Sequence, residues 1–171
     1  MIRFRLAVDS DCESLTKLIN SAYRGESSRQ GWTTEEHLLG GQRTDPEVLR
    51  RLLAPDSVIL MAFDCEALVG CVHLQNKKSY AYLGLLSVSP LQQAGGVGRE
   101  ILTESESWIR KNWQLDTVRM TVITVRKELI AWYLRRGYQD TGEREPFPYH
   151  NEKNGTPKVL DLEFLVLEKK I

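Results

Sequence analysis

A chain of 171 residues, 42% of them apolar, falls within the size of one domain and can bury a substantial core. Its 23 Lys and Arg balance 23 Asp and Glu and the two signs are interspersed, which excludes a basic footprint for nucleic acid and an acidic tail. Cys12, Cys65 and Cys71 have neither Cys-x-x-Cys spacing nor a nearby histidine cluster, so they argue against a metal site and for a reduced, intracellular setting, each thiol serving as a small buried hydrophobe.

Ile2, Phe4 and Leu6 alternate with Arg3 and Arg5, the pattern of a half-buried strand in place of a charged and then apolar leader. No apolar run approaches membrane-spanning length, so a cytoplasmic protein with no membrane partner is expected. Asp9 or Ser10 offers an N-cap, with Glu13 three residues after Ser10. The helix that follows carries Cys12, Leu15, Leu18, Ile19, Ala22 and Tyr23 at spacings of three and four, one stripe for a sheet. Gly25 to Trp32 is polar and reads as an exposed loop, and Thr33-Thr34-Glu35-Glu36 as a capping box for a short helical piece at His37 to Leu39, ended by Gly40-Gly41. Asp45-Pro46 restarts a helix that runs through Leu49, Leu52 and Leu53 to Pro55.

Val58 to Phe63 and Leu68 to Gln75 form a hairpin around Asp64-Cys65-Glu66, and Tyr80 to Val88 is the third strand of the meander. That strand runs into Ser89-Pro90-Leu91-Gln92-Gln93-Ala94-Gly95-Gly96-Val97-Gly98-Arg99, which reads as strand, tight loop, helix. Such a loop aims the unpaired first amides of the helix outward. Gly95, Gly96 and Gly98 remove side chains that would hold an anion off the backbone, so with Arg99 beside it the stretch suits a pyrophosphate. A phosphate loop of the ATP-binding kind requires Lys-Ser/Thr after the last glycine, and here Arg99-Glu100 follows. A dinucleotide fingerprint also fits poorly.

The helix beyond Gly98 presents Ile101, Leu102, Ser105, Trp108 and Ile109 on one face and ends near Asn112. Thr117 to Val125, rich in β-branched residues, follows it and is therefore a parallel neighbour of the Tyr80 to Val88 strand. Leu129, Ile130, Trp132, Tyr133 and Leu134 make a short helix stopped at Gly137, and Tyr138 opens an extended segment. Pro146-Phe147-Pro148-Tyr149-His150 and the turn Asn154-Gly155 form an excursion before a last strand, Val159 to Leu167. There are no repeats or linkers, and residues 1–171 read as a single α/β domain.

Gln93-Ala94-Gly95-Gly96-Val97-Gly98 resembles the Gln/Arg-x-x-Gly-x-Gly/Ala signature of the GNAT family of N-acetyltransferases, and Trp132-Tyr133-Leu134-Arg135-Arg136-Gly137-Tyr138 is similar to the family's second signature, aromatic-Tyr-x-x-x-Gly-Phe/Tyr. The resemblance implies an α/β fold with a mixed, mostly antiparallel twisted sheet of about seven strands, a central parallel pair splayed apart, and about four flanking helices. It also implies acetyl-CoA as acyl donor, its pantetheine arm lying in the gap against the backbone of Leu86, Ser87 and Val88 and its pyrophosphate held by Gln93, Ala94, Gly95, Gly96, Val97, Gly98 and Arg99. A backbone N–H near Leu86 would stabilise the oxyanion. Tyr133 would stand near the thioester sulfur as general acid, since a tyrosine with a pKa of about 10 keeps its proton at neutral pH.

Arg126 departs from the family, where asparagine is usual. It is read as a cofactor contact, with a carboxylate of substrate or protein, or a solvated helix start, as its other uses. The strand Tyr80 to Val88 holds no Glu, Asp or His, which leaves His73, Glu128, His150 or a water chain ordered by Tyr82 as the route for the amine's proton. Tyr23, Trp32, Arg43, Phe147 and Tyr149 are the expected walls of an enclosed acceptor site. The expected function is acetyl transfer to a primary amine, of a small molecule in preference to a protein, by direct attack in a ternary complex and by a monomer or homodimer. A non-catalytic acyl-CoA sensor is the alternative from another class, motivated by the missing strand carboxylate and by Arg126.

Overall fold

The side chains of Ser57–Asp64 (β3) point alternately into two cores: Ile59 and Met61 meet helix α1 (Cys12–Tyr23), while Val58, Leu60 and Ala62 face helix α4 (Val97–Trp113). A period of two on β3 is thus matched by one apolar stripe on each helix. Cys12, Leu15, Leu18, Ile19, Ala22 and Tyr23 are buried on α1, and Val97, Ile101, Leu102, Ser105 and Ile109 on α4. The computed structural model describes residues 1–149 and 155–171.

The remaining elements are β1 (Ile2–Leu6), α2 (Gly25–Ser28), β2 (Leu39–Gly40), α3 (Pro46–Leu52), β4 (Ala67–Asn76), β5 (Ala81–Val88), β6 (Thr117–Ile123), α5 (Lys127–Leu134), β7 (Gln139–Pro146), β8 (Thr156–Pro157) and β9 (Glu163–Lys170). Seven strands form a mixed sheet in the order β1-β3-β4-β5-β6-β9-β7, and β2 pairs with β8. Within the large sheet the β5–β6 pair is parallel and the other pairs are antiparallel. The α/β architecture with its parallel pair is the expected one.

The parallel pair is joined only at Ala81 with Val118 and at Tyr82 with Arg119, after which the strands part. A bulge in β5 bends it away: its register against β4 shifts between Cys71 and His73, and Leu85 adopts the left-handed φ of +50°. That conformation costs a non-glycine residue about 1 kcal/mol or more. The Ser87 hydroxyl, 3.0 Å from Leu85 O, pins it by donating to that carbonyl.

Four expectations are corrected. Gly25–Ser28 forms one helical turn where a loop is predicted, with the Ser28 hydroxyl donating to Gly25 O at 2.7 Å. The helical piece predicted at His37 to Leu39 is a single turn in which Leu38 N and Leu39 N both donate to Glu35 O. It stops there because Leu38 and Leu39 are drawn into an apolar cluster with Ile123, Phe147 and Leu162. The last strand is Glu163–Lys170, not Val159 to Leu167: Leu165 and Leu167 face the core, while Leu160 is 86% exposed. Cys12 and Cys71 are buried, but Cys65 is exposed in the β3–β4 turn at a φ of +53°. Among the described residues, no helix is long and apolar enough to cross a membrane.

Candidate active site between the splayed strands

The chain leaves β5 at Val88, makes a 3-10 turn over Pro90–Gly95, and enters α4 through Gly96, whose φ of +81° favours glycine. The amides of Val97 and Gly98 open the helix and have no acceptor earlier in it. A Cβ on Gly98 would lie 3.4 Å from Trp132 Cζ2 and 3.5 Å from Val88 Cγ2, ordinary contact distances that place α5 against the start of α4. A cavity of about 240 Å³ lies above this turn, lined by Leu86, Val88, Gln93, Ala94, Gly96, Gly98 and Arg99, and by Trp32, Trp132 and Arg136 from elsewhere. Neither Asp nor Glu is among its lining residues. The Arg136 guanidinium stacks 3.6 Å above the Trp132 ring and donates to Trp132 O at 2.7 Å, while its Nε is buried without a hydrogen-bond partner. Burial, then the like charges of Arg135 and Arg99, lowers its pKa. Arginines left in this condition above a helix N-terminus form an electropositive cradle for an anion.

Gln93 lines the cradle but commits its side chain to protein. Its Oε1 accepts from Trp32 N at 2.8 Å and Thr33 N at 3.4 Å, and its Nε2 donates to Thr33 Oγ1 at 2.7 Å and Val88 O at 3.1 Å. This ties the segment after α2 to the end of β5, and Trp32 comes within 6.2 Å of the Trp132 ring centroid. Ser87 and Val97 are buried, and Gly95 faces open space with only Gln92 Oε1 near.

A second cavity, of about 250 Å³, opens where β5 and β6 diverge, bounded by Tyr82 to Leu86, Met120 to Ile123 and Phe164. Tyr23, Leu86, Leu129 and Tyr133 line both cavities. Tyr133 is 5% exposed, and burial, then the nearby Tyr23, raises its pKa well above the ordinary tyrosine value. Tyr23 donates its hydroxyl proton to Leu86 O, and burial pushes its pKa up to about 12. Both phenols are therefore protonated at neutral pH.

The polar wall of the second cavity is a buried ionic network. Glu35 accepts from Arg126 Nη1 at 2.9 Å and from Arg24 Nη2 at 3.3 Å, and Arg126 Nη2 donates to Thr33 O at 2.6 Å. The side chains of Arg24, Glu35 and Arg126 are 5%, 10% and 7% exposed. Arg126, read from the sequence as a cofactor contact, thus lies against Glu35 at the second cavity and not in the cradle.

The candidate bases lie elsewhere. His73 is buried and paired through Nε2 with the Ser57 hydroxyl at 2.8 Å; burial pulls its pKa down to about 4, and it lines neither cavity. Glu128 is exposed beside Trp32 and Trp132 on the outer face of α5. His150, and the Asn154 half of the predicted turn, lie outside the described residues. Of the expected acceptor walls, Tyr23 and Arg43 line the second cavity and Trp32 roofs the first. Phe147 stands behind, its ring 5.5 Å from that of Phe164, and the Tyr149 hydroxyl accepts from Leu162 N at 2.5 Å. Sequence reading missed Arg136 and Glu35. Arg136 was findable, since it falls inside the second signature, in the turn between Leu134 and Gly137; nothing local marks Glu35, whose partners are 11 and 91 positions away.

A family model described as an acetyltransferase (GNAT) domain matches residues 25–148. Among solved structures, an N-acetyltransferase from Staphylococcus aureus superposes with a TM-score of 0.75 at 11% identity, over 99% of this chain and 97% of its own. The PaiA N-acetyltransferase from Thermoplasma acidophilum, solved in complex with coenzyme A, gives 0.70 at 19% identity over 100% and 99%. A ribosomal-protein-alanine N-acetyltransferase from Brucella melitensis gives 0.72 at 17% over 99% of each. No curated protein matches the sequence. At such identities these likenesses speak for the fold.

Proposed function

The chain belongs to the GNAT family of acetyl-CoA-dependent N-acetyltransferases, and from that premise we propose that it acetylates the primary amine of a small molecule by direct attack in a ternary complex. On this reading residues 1–171 act as one catalytic domain in the cytoplasm. The observation that carries it is the shared wall: Tyr23, Leu86, Leu129 and Tyr133 stand between an anion cradle and a second cavity. One cavity takes the donor and the other the acceptor.

The residues present fit acetyl-CoA, which supplies the acetyl group as a thioester. Arg136, with its buried and partnerless Nε, and Arg99 suit the diphosphate. The bulge at Leu85 and the parting of β5 from β6 leave a slot beside Leu86 and Val88 for an extended arm. Tyr133 holds its proton through burial and gives it to the departing sulfur, as general acid. Tyr23, bonded to Leu86 O, fixes the strand segment that borders the reacting atoms. Arg43 and Arg126 disfavour an ammonium ion in the second cavity, so the acceptor reacts as the neutral amine and its proton leaves through the open side. No side-chain base is required of Glu35, whose carboxylate oxygens are taken up by Arg24 and Arg126.

The test is thiol release from acetyl-CoA with a panel of small amines beside peptides and proteins, with the product identified by mass. Transfer to small amines is expected. Binding of coenzyme A with no transfer to any acceptor overturns the reading in favour of a sensor, and preferential transfer to a protein or peptide overturns the small-molecule assignment.

A further inference from the structure

Among the described residues, cationic side chains outnumber carboxylates at the second cavity, whose charged lining is Arg43, Arg126 and Glu35. Arg24, Arg43 and Arg126 gather around one carboxylate, Glu35, which pairs with Arg24 and Arg126. Arg43 is half-buried, lines the cavity and sits 5.9 Å from the Tyr23 ring centroid, and among the described residues no carboxylate lies within ion-pair distance of it. Arg43 also depresses the pKa of Arg24, after the larger effect of burial, which marks the two guanidiniums as close neighbours. Its backbone is fixed: the amides of Arg43 and Thr44 both donate to Asn20 Oδ1, at 2.7 and 3.1 Å, and Asn20 Nδ2 returns a bond to Thr44 O at 3.0 Å. A cation anchored at its root and stacked on a buried tyrosine is organised to receive an anion, and a guanidinium fork matches a carboxylate in two parallel hydrogen bonds.

We infer that the acceptor is a primary amine that also bears a carboxylate, held by Arg43 across the face of Tyr23 while the amine points to Tyr133. The inference rests on the second cavity being the acceptor site. The Arg43 pairing supplies affinity that an uncharged amine lacks, and the net positive field that repels an ammonium ion admits the anionic end of such a molecule. Arg126 does not supply this contact, because Glu35 and Thr33 O occupy its guanidinium.

The experiment compares matched acceptors, each amino acid against its amide and its decarboxylated amine, by thiol release in the full-length protein. The expected kcat/KM is about tenfold to a hundredfold higher for the carboxylated member, through KM, as for one charged hydrogen-bonded pair. In Arg43→Gln that ratio falls toward one, and Arg43→Lys restores part of it. Coenzyme A affinity and Tm, measured on the same preparations, verify the fold. Equal kcat/KM across the pairs, a preference that survives in Arg43→Gln, or preferred transfer to a phosphate-bearing amine each overturns the inference while leaving the acetyltransferase reading in place. Absence of transfer to every amine overturns both.

Discussion

The cavities on either side of Tyr133 both contain arginines, and they differ in what answers the charge. Among the described residues, no Asp or Glu lines the first cavity beside Arg99 and Arg136, so on the proposed reading the ligand brings the anion. In the second cavity Glu35 pairs with Arg24 and Arg126, which makes that network a structural wall and, among the described residues, leaves Arg43 without a carboxylate at ion-pair distance. An arginine beside a cavity is therefore informative only once its protein partners are known.

Variants can break or sharpen this contrast. The largest effect is expected from Tyr133→Phe at the boundary: kcat should fall about 10²–10⁴-fold, as for loss of a general acid, with coenzyme A affinity nearly unchanged in equilibrium titration. Equal loss of both would make Tyr133 a packing residue of the donor cavity. Glu35→Ala leaves Arg24 and Arg126 buried without their carboxylate and should cost about 3–5 kcal/mol in urea unfolding; a loss below about 1 kcal/mol would mean the network is not structural.

His73 belongs to neither cavity and should influence stability alone. Its folded pKa of about 4 lies below the ordinary 6.5, so the unfolded chain binds more protons between those values. Stability is full above about pH 6.5 and declines as pH falls, by about 3 kcal/mol at pH 4. A His73→Asn variant should flatten that slope; an unchanged slope would assign it to other groups. The smallest effect concerns Gln93, whose side chain bonds Trp32, Thr33 and Val88. Gln93→Ala should cost about 1–2 kcal/mol of stability and leave coenzyme A affinity within about threefold, because its side chain holds protein and not ligand. A tenfold weaker coenzyme A titration would return the residue to the cradle.

Much of the first cavity's lining was legible in the chain because it is contiguous: Leu86 to Arg99 and Trp132 to Tyr138 each carry their own conformational logic, with Gly96 at a positive φ. The helical stripes of α1 and α4 and the parallel pairing of β5 with β6 were legible for the same local reasons. The end of the chain was misread because Val159 and Leu160 look strand-like, yet pairing with β6 selects Glu163–Lys170.

What the sequence determined by itself is the order of elements, the apolar faces, and an electropositive turn suited to a diphosphate, each of which depends on neighbours within a few residues. Only the tertiary structure decided that Arg126 meets Glu35, that Arg136 overhangs the cradle, and that Arg43 borders the second cavity, with no carboxylate at ion-pair distance among the described residues. The physical reason is that charge pairing acts through space: partners 91 positions apart lie 2.9 Å from each other only after the sheet has brought their segments together.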